Sequence, residues 1–206
     1  MKIIVVESAG EYNNPSGGTF YSVLAHCPRL WLKADSALLK NNNPFFVPDF
    51  TRECSASPYL ALRISRMGKS IPARFASRYY DAWSVAVDFT AEDVLRQLRK
   101  SGEPWDMAKS FDSSVAIGSF AELPPEGDAK PAAARLEING EEQAVTVCAD
   151  VRSFADRVIE SVSRVFTLRQ GDFLLAGCPD RRPVVKINDH LDAFLNGQKL
   201  LDFNIK

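Results

Sequence analysis

Cysteine and histidine are the residues of this sequence best suited to nucleophilic or metal chemistry, and their placement argues for neither. Cys27, Cys54, Cys148 and Cys178 are scattered, with no C-x-x-C pair and no histidine at metal-site spacing. They read as reduced, mostly buried thiols. Cys178 has no evident basic partner nearby that would make it a nucleophile. Arg181 and Arg182 follow it and could guide an acidic ligand, although a solvated loop is the plainer reading. His190, in Asn188-Asp189-His190, reads as an exposed turn residue. His26 is followed by Cys-Pro-Arg, with no glutamate three residues on.

The 25 basic and 26 acidic residues nearly cancel, so no field of either sign points to nucleic acid or an anionic membrane. A chain of 206 residues can bury most of its apolar surface without staples. The opening run from Met1 to Val6, ended by Glu7, is too short for a secretory core and reads as a first strand. No stretch approaches the roughly 20 apolar residues that span a bilayer. The expected compartment is the cytoplasm.

The elements that would position a site are mostly strands. Residues 11–18 form a loop by composition, and Asn41-Asn42-Asn43-Pro44 is a strong turn signal. Leu60, Leu62 and Ile64 alternate as on a half-buried strand, and so do Trp83, Val85, Val87 and Phe89. Ser70-Ile71-Pro72 resembles a helix start, opening a short helix that could reach Tyr80. Thr90 with Asp93 fits a capping box for a second helix that Gly102 ends. Residues 123–131 are a loop; beyond it Asn139-Gly140 marks a hairpin turn. Phe154, Val158, Val162 and Val165 define one face of the best helix. Many short strands with few helices predict a mostly β, α+β chain.

Several blocks then stand in one order. Trp31-Leu32-Lys33-Ala34-Asp35-Ser36-Ala37-Leu38 resembles F-x-K-P-x-S-A-L, and Lys109-Ser110-Phe111-Asp112 with Ala116-Ile117-Gly118 resembles K-S-F-D…P-I-G. Asn139-Gly140-Glu141 with Gln143 resembles N-G-E…Q. Thr167-Leu168-Arg169-Gln170-Gly171-Asp172 with Ala176-Gly177-Cys178-Pro179 resembles T-L-x-P-G-D…T-G-T-P. These are blocks of the fumarylacetoacetate hydrolase family, and the resemblance covers roughly residues 30–206. It implies a single domain over residues 1–206, with 1–29 a divergent N-terminal strand and loop. The implied fold is a mixed β-roll, and the implied assembly a homodimer.

The resemblance also implies a divalent cation, commonly magnesium, held by an E-x-E pair and a later aspartate. Three carboxylates suit a hard ion that prefers oxygen ligands. Matching Gly68-Lys69 to the family's G-K puts Leu60 and Leu62 at the E-x-E positions, and no acidic residue stands between Glu53 and Asp81. Asp88 takes the remaining ligand position. The H-x-x-E element of hydrolytic members has no counterpart. On this alignment no metal is expected (only Asp88 would contact one), and Lys109 pairs with Asp88 as the two catalytic candidates. Lys33, Cys178, Leu60 and Leu62 are the candidate substrate-binding residues, the two leucines lining an apolar pocket.

The function implied is that of a family member with a degraded metal site, a pseudoenzyme or binder of small oxo or enol acids without a cofactor. The alternative is an active isomerase, hydrolase or lyase on 2-hydroxydienoic or acylpyruvate-type acids, with Mg2+ needed only then. The expected partner is a small acidic metabolite, with neither nucleic acid nor membrane.

Overall fold

The computed structural model describes residues 1–7, 29–39, 42–125 and 130–206. The predicted loop 11–18, His26 and Cys27 lie outside these residues, as do parts of the predicted turn 41–44 and loop 123–131.

The apolar opening run forms strand β1 (Ile3–Glu7), flanked by β2 (Arg29–Lys33) on one side and β9 (Phe173–Gly177) on the other. The larger sheet continues through β4 (Cys54–Ile64), β5 (Tyr80–Ala91), β6 (Val115–Ile117) and β3 (Leu38–Leu39), in the order β2-β1-β9-β4-β5-β6-β3. Its two edge strands, β2 and β3, are consecutive in the chain, joined by Ala34 and a single 3-10 turn at Asp35–Ala37. So short a link obliges the sheet to curl until its edges approach, which makes it a roll with an inside and an outside.

Alternation along each strand assigns the two faces, because successive side chains point to opposite sides of a sheet. Ile3, Val5, Tyr59, Ala61, Ala86, Val115 and Leu175 pack together inside the roll. Ile4, Val6, Leu60, Leu62, Val85, Val87 and Phe89 face outward into the main core. The second sheet packs on that outer face, in the order β11-β10-β7-β8, from β7 (Ala132–Ile138), β8 (Glu141–Cys148), β10 (His190–Leu195) and β11 (Gln198–Asn204). The predicted hairpin joins β7 to β8, with Asn139 at φ 55° and Gly140 at φ 81°, the left-handed pair such a turn requires.

Among the described residues four helices decorate the sheets: α1 (Ala73–Ala76), α2 (Glu92–Ser101), α3 (Asp106–Lys109) and α4 (Val151–Val165). The helix predicted to reach Tyr80 is a single turn. The capping box at Thr90 does not form: Thr90 is still in β5, and Asp93 accepts from Thr51 Oγ1, Arg52 N and Val94 N instead. In α4 the buried stripe runs Val151, Ala155, Val158, Ile159 and Val162, rotated from the predicted face so that Val165 is exposed.

Gly177, at the end of β9, is a place where the two sheets touch. A Cβ there would collide with Thr146 Cγ2, and Thr146 is anchored by donating to Pro58 O at 2.6 Å. Gly177→Ala should therefore lower stability by about 1–3 kcal/mol through overpacking. Urea denaturation reads this directly; an unchanged midpoint would mean that Thr146 swings aside freely.

Candidate functional site

One end of the roll gathers the polar side chains. The ends of β1 and β9 meet there, with Glu7 opposite Gly177, and the start of β4 lies beside the end of β5. Ser55, Ser57, Asp88 and Thr90 all face inward at this mouth, since Ser57 is the direct partner of Asp88 and Ser55 of Thr90. Residues 182–185 run along the start of β4, held by Ala56 N to Pro183 O and Val185 N to Cys54 O, both 2.9 Å. This brings Arg182 to the mouth, where its Nη2 lies 2.8 Å from Glu7 Oε1.

Two expectations about this site are corrected. Leu60 and Leu62 are fully buried but pair with Val85 and Trp83 on the outer face, so they do not line a pocket with Asp88. The inward-facing residues opposite Asp88 and Thr90 are Ser57 and Ser55, an odd number of positions away, and an odd shift moves a side chain to the other face. Asp88 also does not pair with Lys109. Its Oδ1 lies 2.7 Å from Lys33 Nζ, and both side chains are 0% exposed. Lys33 donates in addition to Ser114 O at 3.0 Å, Ser114 Oγ at 2.8 Å and the Lys109 carbonyl. Burial pushes the Lys33 amine down in pKa, and Asp88 opposes that shift.

Lys109 comes from the short helix α3 and sits over the Trp31 ring, 4.4 Å from its centroid, donating to Thr90 Oγ1 at 2.9 Å. Burial holds its amine below the ordinary lysine value; Asp88 pulls it back, and Arg182 adds to the lowering. Lys109 also helps to line an open cleft of about 330 Å³, together with Trp31, Trp105, Asp106 and Phe166. Of the residues singled out in the sequence, the structure brings Lys33, Asp88 and Lys109 together here, beside Ser55, Ser57, Tyr59 and Glu7, which were not singled out. The alternation Cys54-Ser55-Ala56-Ser57 was the available signal, since it reads as a strand with one polar face.

Unsatisfied polarity concentrates in the roll. Among the described residues Trp31 Nε1, Ser57 Oγ, Tyr59 Oη and Asp88 Oδ2 are buried inside the roll without a hydrogen-bond partner, while Asp88 Oδ1 is met by the Lys33 ammonium. Buried polar groups are nearly always paired, so such a cluster marks a place built for something other than stability. Burial also keeps the Tyr59 phenol protonated far into the alkaline range, with Asp88 adding to the shift.

The remaining candidates lie elsewhere or at the rim. Cys178 is exposed just beyond Gly177, Cys148 is half-buried and Cys54 is buried. Burial pushes the Cys54 thiol up to about 12 and the Cys148 thiol to about 11, so neither is a thiolate at neutral pH. His190 begins β10, not a free turn, with Nδ1 3.0 Å from Asn204 Oδ1 and Nε2 facing Asp192 and Asp202.

The chain belongs to the fumarylacetoacetate hydrolase family: residues 20–203 match the Fumarylacetoacetate (FAA) hydrolase C-terminal family. It is 31% identical over 181 residues to the mitochondrial oxaloacetate tautomerase FAHD1 of Mus musculus, covering 87% of this chain and 81% of the relative. It is 29% identical over 176 residues to the oxaloacetate tautomerase YcgM of Escherichia coli K12, covering 84% of this chain and 80% of the relative. The fold matches the fumarylpyruvate hydrolase of Pseudomonas aeruginosa, solved with Mn2+ and pyruvate, at a TM-score of 0.80 and 20% identity over 99% of this chain and 88% of that one. No helix among the described residues is long and apolar enough to cross a membrane.

The divalent cation that the family implies does not fit the described residues around Asp88. Ser57 faces it where a further carboxylate would be needed, the Glu92 carboxylate is taken up by Ser55 Oγ at 2.6 Å, and an ammonium already occupies Oδ1. Among the described residues the one group of three mutually close His, Cys, Asp or Glu ligand atoms is His190, Asp192 and Asp202, on the other sheet. There Lys199 Nζ already sits 3.2 Å from Asp192 and 3.0 Å from Asp202.

Proposed function

We propose that this protein binds small 2-oxo and enol acids at the mouth of the roll and moves a proton between carbon and oxygen without a divalent ion. The single observation that carries this reading is the division of labour between two lysines. Lys33 neutralises Asp88, which leaves Lys109 as a buried amine of depressed pKa in the lining of an open cleft. A lysine in that condition is the usual general base among amines.

The step balances with no further reagent. The neutral Lys109 amine takes a proton from the carbon next to the substrate's carbonyl. The electron pair left behind moves onto the carbonyl oxygen, and the Lys109 ammonium returns the proton to that oxygen to give the enol. The reverse sequence ketonises an enol. Arg182 supplies positive charge for a substrate carboxylate, as Arg–carboxylate pairs commonly do. The named activity of the tautomerase relatives supports the same class of reaction.

A second reading, a binder of the same acids that turns nothing over, is favoured by Ser57 standing directly opposite Asp88, where a further carboxylate would be needed to hold a cation. One assay separates the two. The ultraviolet absorbance of enol-oxaloacetate is followed against the buffer rate, with and without EDTA. EDTA-insensitive acceleration supports proton transfer by the chain itself. Saturable oxalate binding with no acceleration would install the second reading, and acceleration abolished by EDTA and restored by Mg2+ would sink both.

A further inference from the structure

Glu7 is claimed by two cations at once. Its Oε1 lies 2.8 Å from Arg182 Nη2 and 3.8 Å from Arg29 Nη1. Glu7 is mostly buried, with 14% of its side chain exposed, whereas Arg182 is 31% and Arg29 60% exposed. The buried phenol of Tyr59 lies close to Arg182 without a well-aligned hydrogen bond. A guanidinium has five donors in a fixed fork and readily takes a carboxylate through two of them. Among the described residues only one contact of Arg182 to a carboxylate is made, and it goes to the protein's own glutamate.

We infer that Arg182 is the specificity-determining residue for a ligand carboxylate, and that Glu7 occupies it in the free protein and transfers to Arg29 when the ligand arrives. The exchange leaves no charge stranded. The ligand takes Arg182, Glu7 keeps a cation in Arg29, and Lys109 remains free for the reacting end. Arg29 belongs to edge strand β2 directly opposite Glu7 on β1, so the alternative partner is built into the register of the sheet. The ligand class rests on the reading proposed above; the exchange itself concerns binding only.

Isothermal titration of malate (two carboxylates) and lactate (one) tests it on the full chain. The unsubstituted protein should prefer malate. Arg182→Ala should weaken malate about tenfold or more and lactate by clearly less, which removes the preference. Glu7→Gln, which removes the internal competitor, should tighten malate about fivefold. Should Glu7→Gln fail to fold, Arg29→Ala tests the same exchange from the other side, and malate should then weaken because Glu7 has nowhere to go. A malate preference that survives Arg182→Ala overturns the role of Arg182. Malate affinity unchanged or lowered in folded Glu7→Gln, or unchanged in Arg29→Ala, overturns the exchange. These titrations are independent of turnover, so absence of enol-oxaloacetate acceleration would remove the proposed reaction and leave this inference standing or falling on its own.

Discussion

Lys109→Met should lower kcat/KM for enol-oxaloacetate ketonisation by about 10² to 10⁴, the usual contribution of a positioned general base. The effect should appear chiefly in kcat, because the substitution removes an interaction made in the transition state. Lys109→Arg separates the two roles of this residue. A guanidinium keeps the positive charge over Trp31 but cannot give up its proton, so acid binding should persist while turnover is lost. The pH profile gives a further check. Burial disfavours the charged ammonium, so the amine form becomes available at lower pH than in free lysine, whose ordinary value is about 10.4. The rate should therefore rise with pH and level off below that value. Full activity in Lys109→Arg, or a profile that climbs only beyond pH ~10.4, would remove Lys109 from the chemistry.

What the sequence disclosed about this site, and what it hid, follows from how strands pair. Local signals worked where the physics is local. Asn139-Gly140 had to be a turn because two adjacent positive φ angles are cheapest there, and β1 had to be a strand because a short apolar run fits between two neighbours. The block containing Lys109 could be read because it travels as one short segment into the mouth. Leu60 and Leu62 were misplaced because their assignment counted residues back from Gly68. The face a side chain occupies depends on its partner across the ladder, and Ser57, not Leu60, stands opposite Asp88. The partner of Asp88 was hidden for a stronger reason. Lys33 is 55 positions away in a strand at the far edge of the sheet, and only the curling of that sheet brings the two together. No window of sequence contains that closure.

The same closure makes Lys33 the residue whose loss should cost most. Lys33→Met would leave Asp88 as an uncompensated carboxylate inside the roll, and breaking a buried pair in this way costs about 3–5 kcal/mol. Urea denaturation should show a midpoint far below that of the unsubstituted protein with little change in slope. Removing both charges, as Lys33→Met with Asp88→Leu, should recover much of the loss, because the penalty comes from the stranded ion and not from the missing pair. Recovery of stability need not recover the site. Lys33 also donates to the carbonyl of Lys109 and to Ser114, so it fixes the backbone from which the Lys109 amine projects. The doubly substituted protein should fold yet bind oxalate less well than the unsubstituted one, which would make Lys33 a positioning residue for Lys109 as well as the counter-ion of Asp88. If Lys33→Met alone were as stable as the unsubstituted chain, the internal ammonium could not be what neutralises Asp88, and the case for an ion-free site would lose its physical basis.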